Sequence, residues 1–145
     1  MKHFFGFLIV LIILLMIGSL FSQSPISYKV IVNQDNPVSQ LTKDKVSKLL
    51  LKKTTKWENG DKVEPIDLKT DSNIRKSLSK IVHGKSVSAI KAYWQKKIFS
   101  GKGIPPAEKK NDTDVISYVK AKSGAIGYVS MNSNTNGVKV VKISN

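Results

Sequence analysis

The sequence contains no cysteine, one arginine and two histidines, and these absences narrow its chemistry. Without cysteine there are no disulfide bonds and no lipid attachment through a lipobox. His3 lies in an apolar N-terminal stretch, and we expect His83 at a helix end, favoured there by the helix dipole. There is no HExxH or GxSxG motif, and the acids show no paired spacing. We therefore expect no enzyme, no metal and no cofactor.

Acidic residues are also scarce. Asp and Glu number 10 against 24 Lys and Arg, for a formal net charge of +14. So basic a protein attracts anions. The charge is nearly all lysine and is spread along the chain. This distribution favours the interpretation that most of these lysines are solvated on the outer faces of the protein. A nucleic-acid-binding protein would combine arginine with interleaved aromatic residues in a basic motif, so we expect no nucleic acid partner.

The N-terminal residues predict export. Met1-Lys2-His3 precedes an apolar run from Phe4 to Ile17, and small or polar residues follow as far as Ser24. A basic start, an apolar centre and small residues near a cleavage point are typical of a secretory signal. We predict a signal peptide over residues 1–22 and a periplasmic or secreted protein. The alternative is an uncleaved anchor, because residues 4–21 just reach the length that spans a bilayer.

The rest of the chain predicts one α/β domain over residues 26–145. Hydrophobic residues make up 41% and charged residues 23%, as in a globular protein. Periodicity and turn residues predict the order strand, helix, strand, helix, helix, helix, strand, strand. In chain order these are a strand at 28–32, a helix opening at Leu41-Thr42, a strand at 63–68, a helix from Asp71 or Ser72 to Gly84, a helix from Ser86, a helix capped by Asp112 or Thr113 and stopped by Gly124, and strands at 125–129 and 138–143. Pro65 suggests that the strand at 63–68 lies at a sheet edge or contains a bulge.

The segment after Leu68 predicts an anion-binding site. A strand, a short polar turn and a helix start place free backbone N–H groups and a partial positive charge at one point. Ser72 adds a hydroxyl. Arg75, the only arginine, stands in the first helical turn, where a cation opposes the dipole unless an anion neutralises it. The alternative is that Ser72 merely caps the helix and Arg75 pairs with Asp71.

A glycine-rich loop is a second candidate segment. Ser100-Gly101-Lys102-Gly103 permits close backbone contact and offers a charge to the same anion; the alternative is a flexible connection. We expect Trp57, Tyr93 and Trp94 to serve in packing. The predicted oxyanion-binding residues are Lys69, Thr70, Asp71, Ser72, Asn73, Arg75, Ser100, Gly101 and Lys102.

Residues 41–130 resemble a known family. The stretches that carry the resemblance are "LTKDKVSKLLLKKTTKW", "VEPIDLKTDSNIRKSLSKIVHGKS", "IFSGKGIPP" and "AKSGAIGYVS". They look like the phosphate-binding substrate receptors of bacterial ABC transporters, of the type 2 periplasmic-binding-protein class, and most like a small secreted subgroup of single-lobe length. The resemblance implies one three-layer α/β lobe with a mixed sheet, like the second lobe of a full receptor.

The resemblance also implies a site and a function. Ser72-Asn73-Ile74 occupies the place of a Ser-Gly-Thr at a helix start, and Arg75 would replace an arginine that the family carries on the preceding strand. An exported, non-enzymatic protein that binds phosphate or a similar oxyanion is implied. Expected partners are that anion and an ABC permease, an envelope protein or a second copy that supplies the missing lobe. The alternative function is a ligand-free envelope module that docks on a protein or an anionic membrane surface.

Overall fold

The structure, a computed structural model, describes residues 27–145, so the predicted signal peptide lies outside the described residues. Six strands form one sheet. They are β1 Tyr28–Asn33, β2 Gln40–Thr42, β3 Glu64–Leu68, β4 Ala107–Lys109, β5 Ala125–Ser130 and β6 Val138–Ser144. Their order is β2-β6-β1-β5-β3-β4. β1 is antiparallel to both neighbours, whereas β3 is parallel to β4 and β5, and β2 to β6. The predicted mixed α/β sheet is confirmed.

Helices accompany the sheet. They are α1 Lys43–Leu50, α2 Asn73–Leu78, α3 Val87–Phe99 and α4 Asp112–Ala121. α2 continues into a π-helical segment, Ser79–His83, which stops at Gly84 in the left-handed conformation with φ of 63°. Thr42, Ser72 and Ser86 accept backbone N–H groups as N-caps. The sequence predicted Thr42 and Ser86, and of the two candidates for α2, Asp71 and Ser72, the structure has Ser72. Within residues 27–145 no helix is long and apolar enough to cross a membrane.

The helices lie on both faces of the sheet and complete the three-layer arrangement. On one face, Gly127 of β5 lies against Val115 and Val119 of α4, so closely that a Cβ atom there would come within 2.9 Å of Val115. Successive strand residues point to opposite faces. The next residue, Tyr128, therefore points to the face that α1 and α2 cover. α3 lies outside these layers, where Ile90 and Trp94 pack against Leu51 in a separate small cluster.

Two strand predictions differ from the structure. β2 and β4 have three residues each, too few for an alternating pattern to stand out in the sequence. β3 is an interior strand, so the inference of an edge from Pro65 is wrong. The physical reason is that Pro65 pairs only with Ile126 of β5, while pairing with β4 begins one residue later, at Ile66. The missing N–H of the proline is not needed there.

The limits of α4 also differ from prediction. Its cap is Asn111, whose side chain accepts the Asp114 N–H, rather than Asp112 or Thr113. The helix ends at Ala121, before Gly124. Gly124 has a different role, since its carbonyl accepts from Trp57 Nε1 at 2.9 Å and a Cβ atom would come within 1.8 Å of the Lys62 carbonyl oxygen. Close backbone approach requires glycine at this position.

Candidate functional site

The candidate site lies where three parallel strands end. β3, β4 and β5 run in the same direction, so Leu68, Lys109 and Ser130 end at one edge of the sheet, which we call the carboxyl edge. α2 and α4 both begin there. In open α/β sheets, ligands bind beyond the carboxyl ends of the strands, and helix starts add N–H donors. The topology therefore supports a site at this edge.

The turn before α2 is held by backbone hydrogen bonds. Lys69 N–H donates to the Lys109 carbonyl at 3.0 Å, and Ser72 N–H donates to the Lys69 carbonyl at 3.0 Å. Ser72 Oγ then accepts the Arg75 N–H at 3.3 Å. These bonds bring together the five predicted residues 69–73 in one exposed or half-buried turn.

The start of α2 still has donors to offer. Asn73 and Ile74 occupy its first two positions, where an α-helix has no internal acceptor for the N–H groups. Within residues 27–145 we find no carbonyl or side-chain oxygen that accepts from either amide. The first turn also contains no acid, so no side chain of the helix neutralises its positive end.

Arg75 faces away from this opening, which corrects its predicted role. The residue is 7% exposed, and Nη1 donates to the Leu68 carbonyl at 2.6 Å and to Glu108. Nη2 lies 3.3 Å from Asp67 Oδ2. The guanidinium thus joins α2 to β3 and β4, and its charge is matched by carboxylates of the protein. Asp71, the partner named in the alternative, is not in this cluster.

Tyr128 completes the cluster beneath α2. Its hydroxyl donates to Asp67 and accepts from the Leu68 N–H at 3.4 Å. Burial raises the pKa of Asp67, although the Arg75 guanidinium opposes that rise. Burial and the neighbouring carboxylate also raise the pKa of Tyr128, which therefore stays protonated. The hydroxyl is consequently a permanent hydrogen-bond donor to Asp67, and the cluster is a structural support for the turn.

The start of α4, at the same edge, already holds an internal anion. Asp112 Oδ2 accepts the Ser130 N–H at 3.0 Å, together with the hydroxyls of Ser130 and Ser133. Asp114 adds a second acid to the first turn. The positive end of this helix is thereby neutralised by the helix's own side chains.

The glycine-rich loop lies elsewhere, which corrects its predicted place in the site. Ile104 and the two prolines after it lie beside Val63 to Pro65, at the start of β3, and Lys52 Nζ donates to the Ile104 carbonyl at 3.1 Å. Ser72 follows the opposite end of β3, about 15 Å away along five strand residues. The structure does not bring Ser100, Gly101 and Lys102 to the turn at Ser72.

His83 lies at a helix end, as expected, but not for the expected reason. Its Nδ1 atom lies 2.8 Å from Ser47 Oγ. Burial, followed by the charges of Arg75, Lys53 and Lys85, lowers its pKa to about 4. The ring is neutral at pH 7, so interaction of an imidazolium with the helix dipole does not account for its position. Across residues 27–145, no three His, Cys, Asp or Glu side chains lie together as metal ligands would.

The predicted packing residues are confirmed, and the structure adds residues that the sequence reading missed. Trp57 and Trp94 are buried, and the Tyr93 and Trp94 rings meet edge to face at 5.0 Å. The missed residues are Asp67, Glu108 and Tyr128. Asp67 precedes Arg75 by eight positions at the end of a predicted strand, which was a usable signal; Glu108 belongs to the strand that was not predicted.

Comparison with known proteins identifies a family. The family model described as "PBP superfamily domain" matches residues 28–144. A search of curated proteins found no match.

Solved structures share the fold. An ABC-type phosphate transport receptor from Vibrio cholerae is 17% identical with a TM-score of 0.63; the match covers 83% of this chain and 48% of that one. A protein from Clostridium perfringens, named as a phosphate ABC transporter substrate-binding protein and solved with bound phosphate, is 21% identical with a TM-score of 0.63; the match covers 83% of this chain and 47% of that one. A protein from Planctomyces limnophilus, named as a possible phosphate-binding protein, is 19% identical with a TM-score of 0.61; the match covers 83% of this chain and 43% of that one. The chain thus spans about half the length of these proteins.

Proposed function

The chain belongs to the PBP superfamily domain family, and on that premise we propose that it binds phosphate or a similar oxyanion at the start of α2, without catalysing a reaction. Two of the similar structures are named as phosphate receptors of ABC transporters, and one holds bound phosphate. As part of the same proposal, the protein is exported and works beside an ABC permease.

The observation that carries the proposal is the acid-free first turn of α2 at the carboxyl edge. The amides of Asn73 and Ile74 point out of the helix start, and Ser72 bounds it. An anion there gains two N–H donors and the positive end of the helix dipole. Lys69, in the turn, and Lys76, in the helix, are both exposed and add positive charge to this part of the surface.

The contacts also set the expected affinity. The turn is open to solvent and Arg75 is engaged by Asp67 and Glu108, so the anion interacts mainly with amides and exposed lysines. Charge pairs in contact with water are weak and are screened by salt. We therefore expect a Kd on the order of 1 mM at low ionic strength, which corresponds to about 4 kcal/mol. A second wall, contributed by a partner or another copy, would strengthen binding.

The test is a titration of the full chain with phosphate and then sulfate, followed by backbone amide NMR. We expect saturable shifts of the Asn73 and Ile74 amides, with chloride at equal ionic strength giving none. Asn73→Asp places an acid in the first turn, as α4 has, and should weaken binding at least about fivefold.

The matched control is Ser117→Asp, which adds the same charge on the exposed side of α4. This variant should bind as the parent protein does. Unsaturable shifts at Asn73 and Ile74, or equal weakening by both substitutions, would show that the anion does not occupy the start of α2.

A further inference from the structure

A long acid-free segment carries a concentrated positive charge. Between Asp71 and Glu108 there is no Asp or Glu, while eight residues are basic. They are Arg75, Lys76, Lys80, Lys85, Lys91, Lys96, Lys97 and Lys102. Arg75 is buried and paired, so the seven lysines give the surface of this segment its charge. A surface of one sign attracts partners of the opposite sign.

Three large apolar side chains protrude from this basic segment. Phe99 is 92% exposed, Ile104 68% and Ile98 51%. They lie at the end of α3 and in the loop after it, and we call them the apolar tip. Gly101 and Gly103, at φ of 66° and 146°, turn the chain back, and Lys102 N–H donates to the Lys97 carbonyl at 2.9 Å. The glycine conformations and this hydrogen bond define the turn between Phe99 and Ile104.

Lysines lie next to the apolar tip along the chain. Lys96 and Lys97 precede Ile98 in α3, and Lys102 follows it in the loop. Lys97 Nζ lies 5.4 Å from the centre of the Tyr93 ring, and Lys53 Nζ lies 5.6 Å from the same ring. Exposed apolar residues bordered by polar ones mark interaction surfaces, and apolar groups flanked by lysine suit the interface of an anionic bilayer.

We propose that the apolar tip and its lysines dock the protein on the surface of an anionic phospholipid bilayer. Its side chains are between 51% and 92% exposed, so they can enter the headgroup region while the lysines remain among the lipid phosphates. The start of β3, next to Ile104, is at the opposite end of the strand from Ser72. Docking therefore leaves the carboxyl edge open to solvent, and it does not depend on oxyanion binding.

The lack of cysteine permits a local test on the full chain. Ser100→Cys, labelled with a nitroxide, reports on the apolar tip, and Ser117→Cys on α4 is the matched control. Each is mixed with vesicles of phosphatidylglycerol and phosphatidylcholine, or of phosphatidylcholine alone. With anionic vesicles, oxygen should reach the label at position 100 more often and a water-soluble nickel complex less often. The label at position 117 should not change. A change at position 117 instead of position 100 would mean that the protein associates with the membrane through other residues.

Substitutions measure the contributions of the lysines and of the apolar side chains separately. Lys96→Gln with Lys97→Gln should raise the anionic lipid concentration for half-maximal insertion roughly twenty-five-fold, about fivefold for each lysine, whereas Lys109→Gln with Lys110→Gln should leave it unchanged. Phe99→Ser should reduce insertion at least tenfold, about the effect of losing one large apolar contact, and Met131→Ser, which removes another half-exposed apolar side chain, should not.

Two results would overturn the proposal. One is an unchanged label at position 100 with anionic vesicles. The other is a loss of access to both oxygen and nickel that grows with protein concentration and needs no lipid, which would identify another protein surface as the occupant of the apolar tip.

Discussion

The helices α2 and α4 begin at the same edge of the sheet, but only α4 has acids that neutralise its positive end. α4 has Asp112 and Asp114 in its first turn, and Ser130 and Ser133 donate to Asp112. α2 has no acid in its first turn and is supported from beneath by Arg75. The difference shows that one fold can hold an internal anion at one helix start and leave another start without an acid of its own.

The largest expected effect concerns the support of α2. Arg75→Met leaves Asp67 and Glu108 without their cation, and losing one partner of a buried ion pair costs about 3–5 kcal/mol. The free energy of unfolding, measured in urea, should fall by that amount. Lys76→Met, at the exposed next position, should change it by less than about 0.5 kcal/mol. Adding Asp67→Asn and Glu108→Gln to Arg75→Met should restore part of the loss. A loss below about 1 kcal/mol for the single variant would contradict the buried arrangement.

The next effect concerns the internal anion of α4. Asp112→Ala leaves the Ser130 N–H without its acceptor and removes one partner of the Ser133 hydroxyl, and we expect a loss of about 1–3 kcal/mol in unfolding free energy. Asp114→Ala removes an exposed acid from the same turn and should cost only about 0.3–1 kcal/mol. Equal effects in urea unfolding would mean that Asp112 acts through the helix dipole alone.

The free energy of unfolding should depend on pH through His83, which ends the π-helical segment after α2. The pKa of His83 is lowered to about 4 in the folded protein, whereas an unfolded histidine has a pKa near 6.5. The unfolded state therefore binds the extra proton as pH falls from about 6.5 to about 4, and stability is lost over that range. Because the ring is partly exposed, we expect about 1–2 kcal/mol rather than the full shift. The His83→Gln variant should lose this part of the pH dependence of urea unfolding. If the stability of the variant and of the parent protein changed with pH in the same way, the pH dependence would belong to other groups.

The smallest expected effect comes from adding to the first turn of α2 an acid like those in the first turn of α4. Asn73→Asp adds an acid to a first turn that has none, so it should stabilise the protein by about 0.3–1 kcal/mol at low salt. Thermal unfolding at low and high ionic strength measures this gain, which should shrink in salt. Ser117→Asp, in the middle of α4, serves as control. A destabilised Asn73→Asp variant would show that the positive end of α2 is already neutralised.

The features that depend on nearby residues were largely predictable. Thr42, Ser72 and Ser86 were recognised as helix starts because a cap bonds an amide three residues away. The strand of Arg75's partner Glu108 was not recognised, and the environment of Arg75 was therefore misjudged. Glu108 lies 33 residues from Arg75, and only the pairing of β3 with β4 brings them together. The loop at Ser100 was misplaced for the same reason, since the direction of β4 decides at which edge it lies.

The sequence by itself determined where the helices and the four longer strands form, which residues cap three of the helices, and how strongly basic the protein is, because these follow from neighbouring side chains and composition. Tertiary structure decided how the charges are used. It turned the only arginine inward to Asp67 and Glu108, neutralised α4 with Asp112, and left the start of α2 and the apolar tip uncovered. Electrostatic and apolar contacts act through space, and strand pairing determines which distant residues come within their range.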